Sequence, residues 1–327
     1  MPPQWATDQI LARGKNMQTN AGSGFRASRA LMSCLGAIAA LIACGQPTVA
    51  HAAAIFVTKA NGFGGGNPGT IGQYDLTGTA VNASLITGLA APFGIAASAT
   101  HLFVGNNNTG NVGQYTLAGA TVNAALINAP GVTGVTVSGS DLYLAAQGDG
   151  TIKKYLTDGT LVDNTLITGL DGPRQIAVWG SLLFVANSGS GTVGAYTTSG
   201  ATINASLLSG LGQVTGVAVS EDGTQLFVSS QNTGVTGVYT TAGVPINASL
   251  IVAGNPQYLA ISGQELYVAN FSGTVAQYKT DGTVVNETLI SALDGPLAIA
   301  VTPEPGSLAL IVAGAGLFCT RRSRSRI

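Results

Sequence analysis

The chain has 327 residues with 46 Gly, 46% hydrophobic but only 8% charged residues, against about 25% charged in an ordinary soluble domain, which is too apolar for a disordered chain and enough to bury a real core. Its formal net charge is -1, but residues 53–302 hold five Lys and Arg against twelve Asp and Glu, a local -7 without a basic stripe, which excludes phosphate-led nucleic-acid binding. Cys34, Cys44 and Cys319 all fall outside that stretch, so disulfides and Cys-ligated zinc are excluded from it.

The first element in chain order is an address. Arg26 and Arg29 precede an apolar run over 30–44, then a short polar stretch and Ala50, His51, Ala52. A charged region, an apolar region and an A-x-A cleavage site in that order read as a secretory signal peptide over 1–52. The run is shorter than the roughly 20 apolar residues that cross a bilayer. Met17 offers a start that gives a more usual leader length. Leu41, Ile42, Ala43, Cys44 also fit a lipobox, so cleavage by signal peptidase and lipoprotein processing at Cys44 both stay open.

The body then repeats six times. Tyr74, Tyr115, Tyr155, Tyr196, Tyr239 and Tyr278 lie 41, 40, 41, 43 and 39 residues apart. The same increments place Gly78, Gly119, Gly159, Gly200, Gly243 and Gly282 four residues later, and Asn82, Asn123, Asp163, Asn204, Asn247 and Asn286 eight residues later. Upstream of the tyrosines runs a second aromatic series: Phe56, Phe103, Tyr143, Phe184, Phe227 and Tyr267. A period near 41 built from short strands without helical periodicity is the signature of propeller blades.

One unit divides into four strands: 216–219, 226–229, 236–240 and 246–251. Tyr239 and Phe227 on neighbouring strands are expected between adjacent blades. Glycine after each Tyr strand suits a hairpin residue with φ > 0, and Asp158 and Asp281 complete D-G turns. The recurring Asn or Asp at the start of the outer strand is expected to cap backbone there. Asn82, Asn204, Asn247 and Asn286 stand in N-x-S/T sequons and are read as repeat residues rather than glycan sites.

Innermost strands are expected at 93–97, 133–137, 174–178, 215–219, 257–261 and 297–301. The body opens on a second strand, 55–58, and closes on an inner strand, so its two ends complete one shared blade and leave no unpaired edge between first and last units. The expected fold is therefore an all-β, six-bladed propeller of four-stranded antiparallel blades over 53–302. The block resembles the NHL and YVTN-type propellers.

After the body, Pro303, Glu304, Pro305 lead into an apolar segment, 308–319, and a tail with Arg321, Arg322, Arg324 and Arg326. Two prolines hold the triplet extended, the apolar segment sits in the membrane, and the arginines stay on the cytoplasmic side. Residues 303–327 resemble the PEP-CTERM sorting signal of exported bacterial proteins, with Gly306 and a short apolar segment as departures. The resemblance implies processing by an exosortase, in a host with an outer membrane that makes exopolysaccharide; the other reading of the segment is an ordinary C-terminal anchor that nothing cleaves.

Candidate chemistry is sparse. Gly64, Gly66 and Gly69 form a G-x-G-x-x-G, but Thr70 opens a strand and not a helix, so the dinucleotide reading fails its context. His101, the body's single histidine, falls at a hairpin on the face opposite the loops that enter the inner strands. Asp171 and Asp294, in matching Leu-Asp-Gly-Pro loops, read either as Ca²⁺ ligands or as turn residues. Arg174, the body's single arginine, opens an inner strand and faces the channel mouth, as an anion clamp or a partner for Asp171. Asn61, Asn106, Gln147, Asn187, Gln231 and Asn270, each at the end of a second strand, are expected to form a ring of amides on the same face. Amides hydrogen-bond sugar hydroxyls; the alternative is that they close the adjoining turns.

The first inner-strand residues, Phe93, Thr133, Arg174, Thr215, Gln257 and Leu297, include no carboxylate and no His. That set favours an exported, non-catalytic propeller, without a cofactor or metal, that binds exopolysaccharide or serves as a structural element of the envelope. The other reading is an enzyme resembling gluconolactonase-like hydrolases or streptogramin lyases, families that use channel carboxylates with a metal or a channel His.

Overall fold

The computed structural model describes residues 53–60 and 68–302. The signal peptide, Asn61, Gly64, Gly66 and the sorting signal from Pro303 onward lie outside the described residues. No helix among the described residues is long and apolar enough to cross a membrane.

The described residues form 24 strands in six four-stranded antiparallel sheets, a six-bladed propeller. Blade 1 combines β1 (Ile55–Lys59), β2 (Gly69–Tyr74) and β3 (Ala80–Leu89) with the last strand, β24 (Pro296–Val301), in the order β24-β1-β2-β3. Blade 2 runs outward from β4 (Pro92–Ala97) through β5 (His101–Asn106) and β6 (Asn111–Thr116) to β7 (Thr121–Asn128). Blades 3 to 6 repeat the pattern from the inner strands β8 (Val132–Ser138), β12 (Pro173–Trp179), β16 (Val214–Val219) and β20 (Pro256–Ser262).

The closure expected from the two ends is present. Ile55 pairs with Val301, Phe56 with Ala300 and Val57 with Ile299. Beyond the strands the ends clasp each other: the Thr302 amide donates to the Ala54 carbonyl at 3.0 Å and the Ala54 amide to Thr302 Oγ1 at 2.9 Å.

The core lies between blades, because each sheet buries both faces against its neighbours. Every boundary places the second-strand aromatic of one blade in the same apolar cluster as the third-strand tyrosine of the next. The pairs are Phe56 with Tyr115, Phe103 with Tyr155, Tyr143 with Tyr196, Phe184 with Tyr239, Phe227 with Tyr278 and Tyr267 with Tyr74. Tyr239 and Phe227 thus serve opposite faces of blade 5, since residues one apart along paired strands point to opposite sides.

The six hairpin glycines all hold positive φ, between 83° and 90°. Each also packs against a leucine of the preceding outer strand, Gly159 against Leu126 and Gly78 against Leu289. The outer strands carry the recurring Asn or Asp at a register shift, where Oδ1 accepts the backbone amide two residues on at 2.8–3.1 Å. Those side chains cap backbone, as the sequence suggested.

Candidate channel-mouth site

Inner strands meet at the axis, and each opens with a bulge. Pro92 pairs with Asn106 while Gly94 pairs with Gly105, and Pro173 pairs with Asn187 while Ile176 pairs with Val185. The extra residue re-aims side chains at the strand start. At the second inner-strand position the expected set Phe93, Thr133, Arg174, Thr215, Gln257 and Leu297 is found, one residue inside strands that begin at Pro or Val. At the third position stand Gly94, Gly134, Gln175, Gly216, Tyr258 and Ala298. Three glycines there let backbones approach; a Cβ on Gly94 would fall 2.7 Å from the Thr133 carbonyl oxygen.

Gln175 and Tyr258, the large residues at this position, reach to other inner strands. The Tyr258 hydroxyl donates to the Thr133 carbonyl at 2.9 Å, linking blades 6 and 3 on opposite sides of the axis. Gln175 Nε2 donates to the Leu259 carbonyl at 2.6 Å, while its Oε1 accepts the Leu259 and Val217 amides at 3.0 and 3.1 Å. Two side chains therefore tie four inner strands together across the axis. Burial pushes the Tyr258 phenol well above its ordinary range, opposed by the nearby Arg174 charge. Thr133 and Thr215 turn their hydroxyls to the Pro173 and Pro256 carbonyls of the next blade, at 2.8 and 3.0 Å.

Arg174 is partly buried, and its Nε is enclosed without a hydrogen-bond partner. No ion pair joins it to Asp171; the ion pairs among the described residues are Lys153–Asp149, Lys154–Asp141 and Lys279–Glu265. Asp171 and Asp294 are exposed, and no three His, Cys, Asp or Glu among the described residues are placed to hold a metal.

The amide set does not line up as one ring. Asn106, Asn187 and Asn270 end their strands at equivalent positions, whereas Ala146 and Ser230 occupy that register in blades 3 and 5, and Gln147 and Gln231 lie one residue beyond. The three asparagines are 3–4% exposed. They turn inward, donating to Asn111, Thr192 and Thr274 at the start of the next strand at 3.1, 3.4 and 3.3 Å. Closing the turn, the alternative given for them above, is the geometry found. His101 sits on the opposite face, its Nδ1 2.8 Å from Thr100 Oγ1, and Gly69 opens a strand.

Sequence reasoning missed Gln175 and Tyr258. Their signal was a break in the repeat: large polar residues at a position where three other blades carry glycine.

No family model matches the chain, and no curated protein sequence matches it. Its likeness is to solved propellers. A chain of the nidogen/laminin complex aligns with a TM-score of 0.63 at 14% identity, over 76% of this chain and 98% of that one. A gluconolactonase from Xanthomonas campestris aligns with 0.51 at 17%, over 60% and 74%, and a Lactobacillus plantarum protein with 0.55 at 16%, over 77% and 99%. At such identities the likeness establishes the propeller fold, which serves binding proteins and enzymes alike.

Proposed function

We propose that the chain is an exported, non-catalytic β-propeller, sorted by an exosortase and acting as a binding or structural component of the cell envelope or the extracellular polysaccharide matrix. The observation that carries this reading is the axis: Gln175 and Tyr258 are committed to hydrogen bonds that join inner strands, and the second-position residues include neither carboxylate nor imidazole. A catalytic propeller needs groups there that take up a proton or hold a metal. Export and sorting rest on the terminal segments, Arg26 to Ala52 and Pro303 to Arg326, with signal peptidase and exosortase as processing partners and the inner membrane as a transient anchor.

A second reading is a lactonase-type enzyme, favoured by the fold likeness to the Xanthomonas gluconolactonase. Hydrolysis of glucono-δ-lactone by the purified protein, with and without added Ca²⁺, decides between the two. The proposal expects the buffer rate under both conditions. A protein-dependent rate that Arg174→Gln and Gln257→Ala abolish would establish the enzyme.

A further inference from the structure

On the face opposite the channel mouth, a groove of about 680 Å³ opens between blades 2 and 3. Its walls are the blade 2 hairpin with Ser98, Thr100 and His101, Gln114 of β6, and the blade 3 hairpin residues Thr157 and Asp158. Val122, half exposed, supplies apolar surface, and Phe103 lies buried beneath the groove.

This groove is open for a reason visible in the repeat. In blade 3 the residues equivalent to His101 and Gln114 are Asp141 and Lys154, which form an ion pair at 2.8 Å beside the Tyr143 hydroxyl. In blade 6 they are Glu265 and Gln277, where Gln277 Nε2 donates to Glu265 at 3.1 Å beside the Tyr267 hydroxyl. Blade 2 has Phe103 in place of that tyrosine, and its His101 and Gln114 are not joined. At two other boundaries side chains bridge the blades on this face. Trp179 Nε1 donates to the Glu221 carbonyl at 3.1 Å, and Glu221 Oε1 accepts the Gly263 amide at 2.7 Å.

We propose that the groove is a binding site for a neutral hexose unit of a polysaccharide. A sugar hydroxyl both donates and accepts, so it satisfies the Asp158 carboxylate as a donor and the Gln114 amide as an acceptor at once. Asp158 stays ionised, because the Thr160 amide donates to its Oδ1 at 2.8 Å. An anion is opposed by that carboxylate and by the -7 body, and a metal cation finds one carboxylate where it wants several oxygens. The C–H face of a pyranose fits the exposed apolar surface of Val122.

The inference builds on the polysaccharide-binding reading above but is tested apart from sorting. Maltohexaose and cellohexaose are titrated calorimetrically into the exported protein, with sodium sulfate as the anion control. Binding of one hexasaccharide with a Kd of about 1 mM is expected, and none of sulfate. Asp158→Asn keeps the acceptor that caps Thr160 and should weaken binding at least fivefold, as should Gln114→Ala. Asp281→Asn alters the same hairpin contact in blade 6, where Asp281 Oδ1 accepts the Thr283 amide at 2.8 Å, and should change binding less than twofold. No binding of either sugar at 10 mM, or equal affinities for the Asp158→Asn and Asp281→Asn proteins, overturns the site. Failure of tail processing with sugar binding intact would overturn the sorting reading alone.

Discussion

Tyr258 and Thr133 are 125 positions apart in sequence, yet the Tyr258 hydroxyl donates to the Thr133 carbonyl at 2.9 Å across the propeller axis. Removing that hydroxyl leaves a buried carbonyl with one acceptor site unused, a loss of about 1–3 kcal/mol. Tyr258→Phe should therefore lower the melting temperature by a few degrees, since about 2–4 °C accompanies each kcal/mol in a domain of this size. An unchanged melting curve would mean that the hydroxyl does not hold blades 3 and 6 together.

Gly159 combines a φ of 90° with a close approach, since a Cβ there would sit 3.1 Å from Leu126. Gly159→Val adds left-handed strain in a β-branched residue to a clash with the neighbouring blade, for a cost above about 2 kcal/mol. Gly169 has a similar φ of 75° but open space around it. Gly169→Ala isolates the backbone part and should cost about 1 kcal/mol. Thermal unfolding of the pair checks the order; equal losses would remove the contact with Leu126 from the account.

Ala91 enters the inner strand of blade 2 with φ 53°, at the place where blades 3, 4 and 1 use Gly131, Gly172 and Gly295 at φ 72°, 65° and 54°. The turn needs this conformation, because the Ala91 carbonyl accepts the Asn107 amide at 3.0 Å, as Gly131 does from Gln147. Ala91→Gly relieves about 1–2 kcal/mol of strain against about 0.4–1 kcal/mol of added unfolded-chain entropy. A small gain in denaturation midpoint is expected, and a loss would contradict the strain.

Burial raises the phenols of Tyr74, Tyr115, Tyr196, Tyr239 and Tyr278 above the ordinary value, and burial with the Glu265 charge takes Tyr267 up to about 12. Folded values above unfolded ones mean that the native state retains protons the unfolded chain releases. The stabilisation is whole below about pH 10 and falls as the pH rises towards 12. Melting temperatures should hold from pH 7 to 9 and drop steeply between 10 and 12, with a shallower drop in Tyr267→Phe. A flat profile to pH 12 would contradict the buried tyrosine ring.

Most of the fold was legible because the repeat writes each turn six times. The Tyr spacing gave six blades, the hairpin glycines gave their φ, and the opening second strand gave the closure seen between Ile55 and Val301. The axis was not legible, because Gln175 and Tyr258 depart from the repeat and a bulge sets the direction of the second and third inner-strand residues. The amide ring failed for a related reason. Counting to the end of the second strand slips by one between Asn106 and Gln147, and one residue in a strand decides between the blade interior and the turn. Asp171 and Arg174 are near in sequence, but the loop leaves the carboxylate exposed and the guanidinium at the axis without a joining ion pair.

The central functional proposal, that this propeller is an exosortase substrate, is tested most directly by the intact mass of the protein exported from a host that carries an exosortase. The account predicts a mature species that lacks the tail containing Arg321 and Arg322, and retention of that tail in Glu304→Ala. A mature protein whose mass includes the whole tail, with Pro303, Glu304 and Pro305 unaltered, would contradict it.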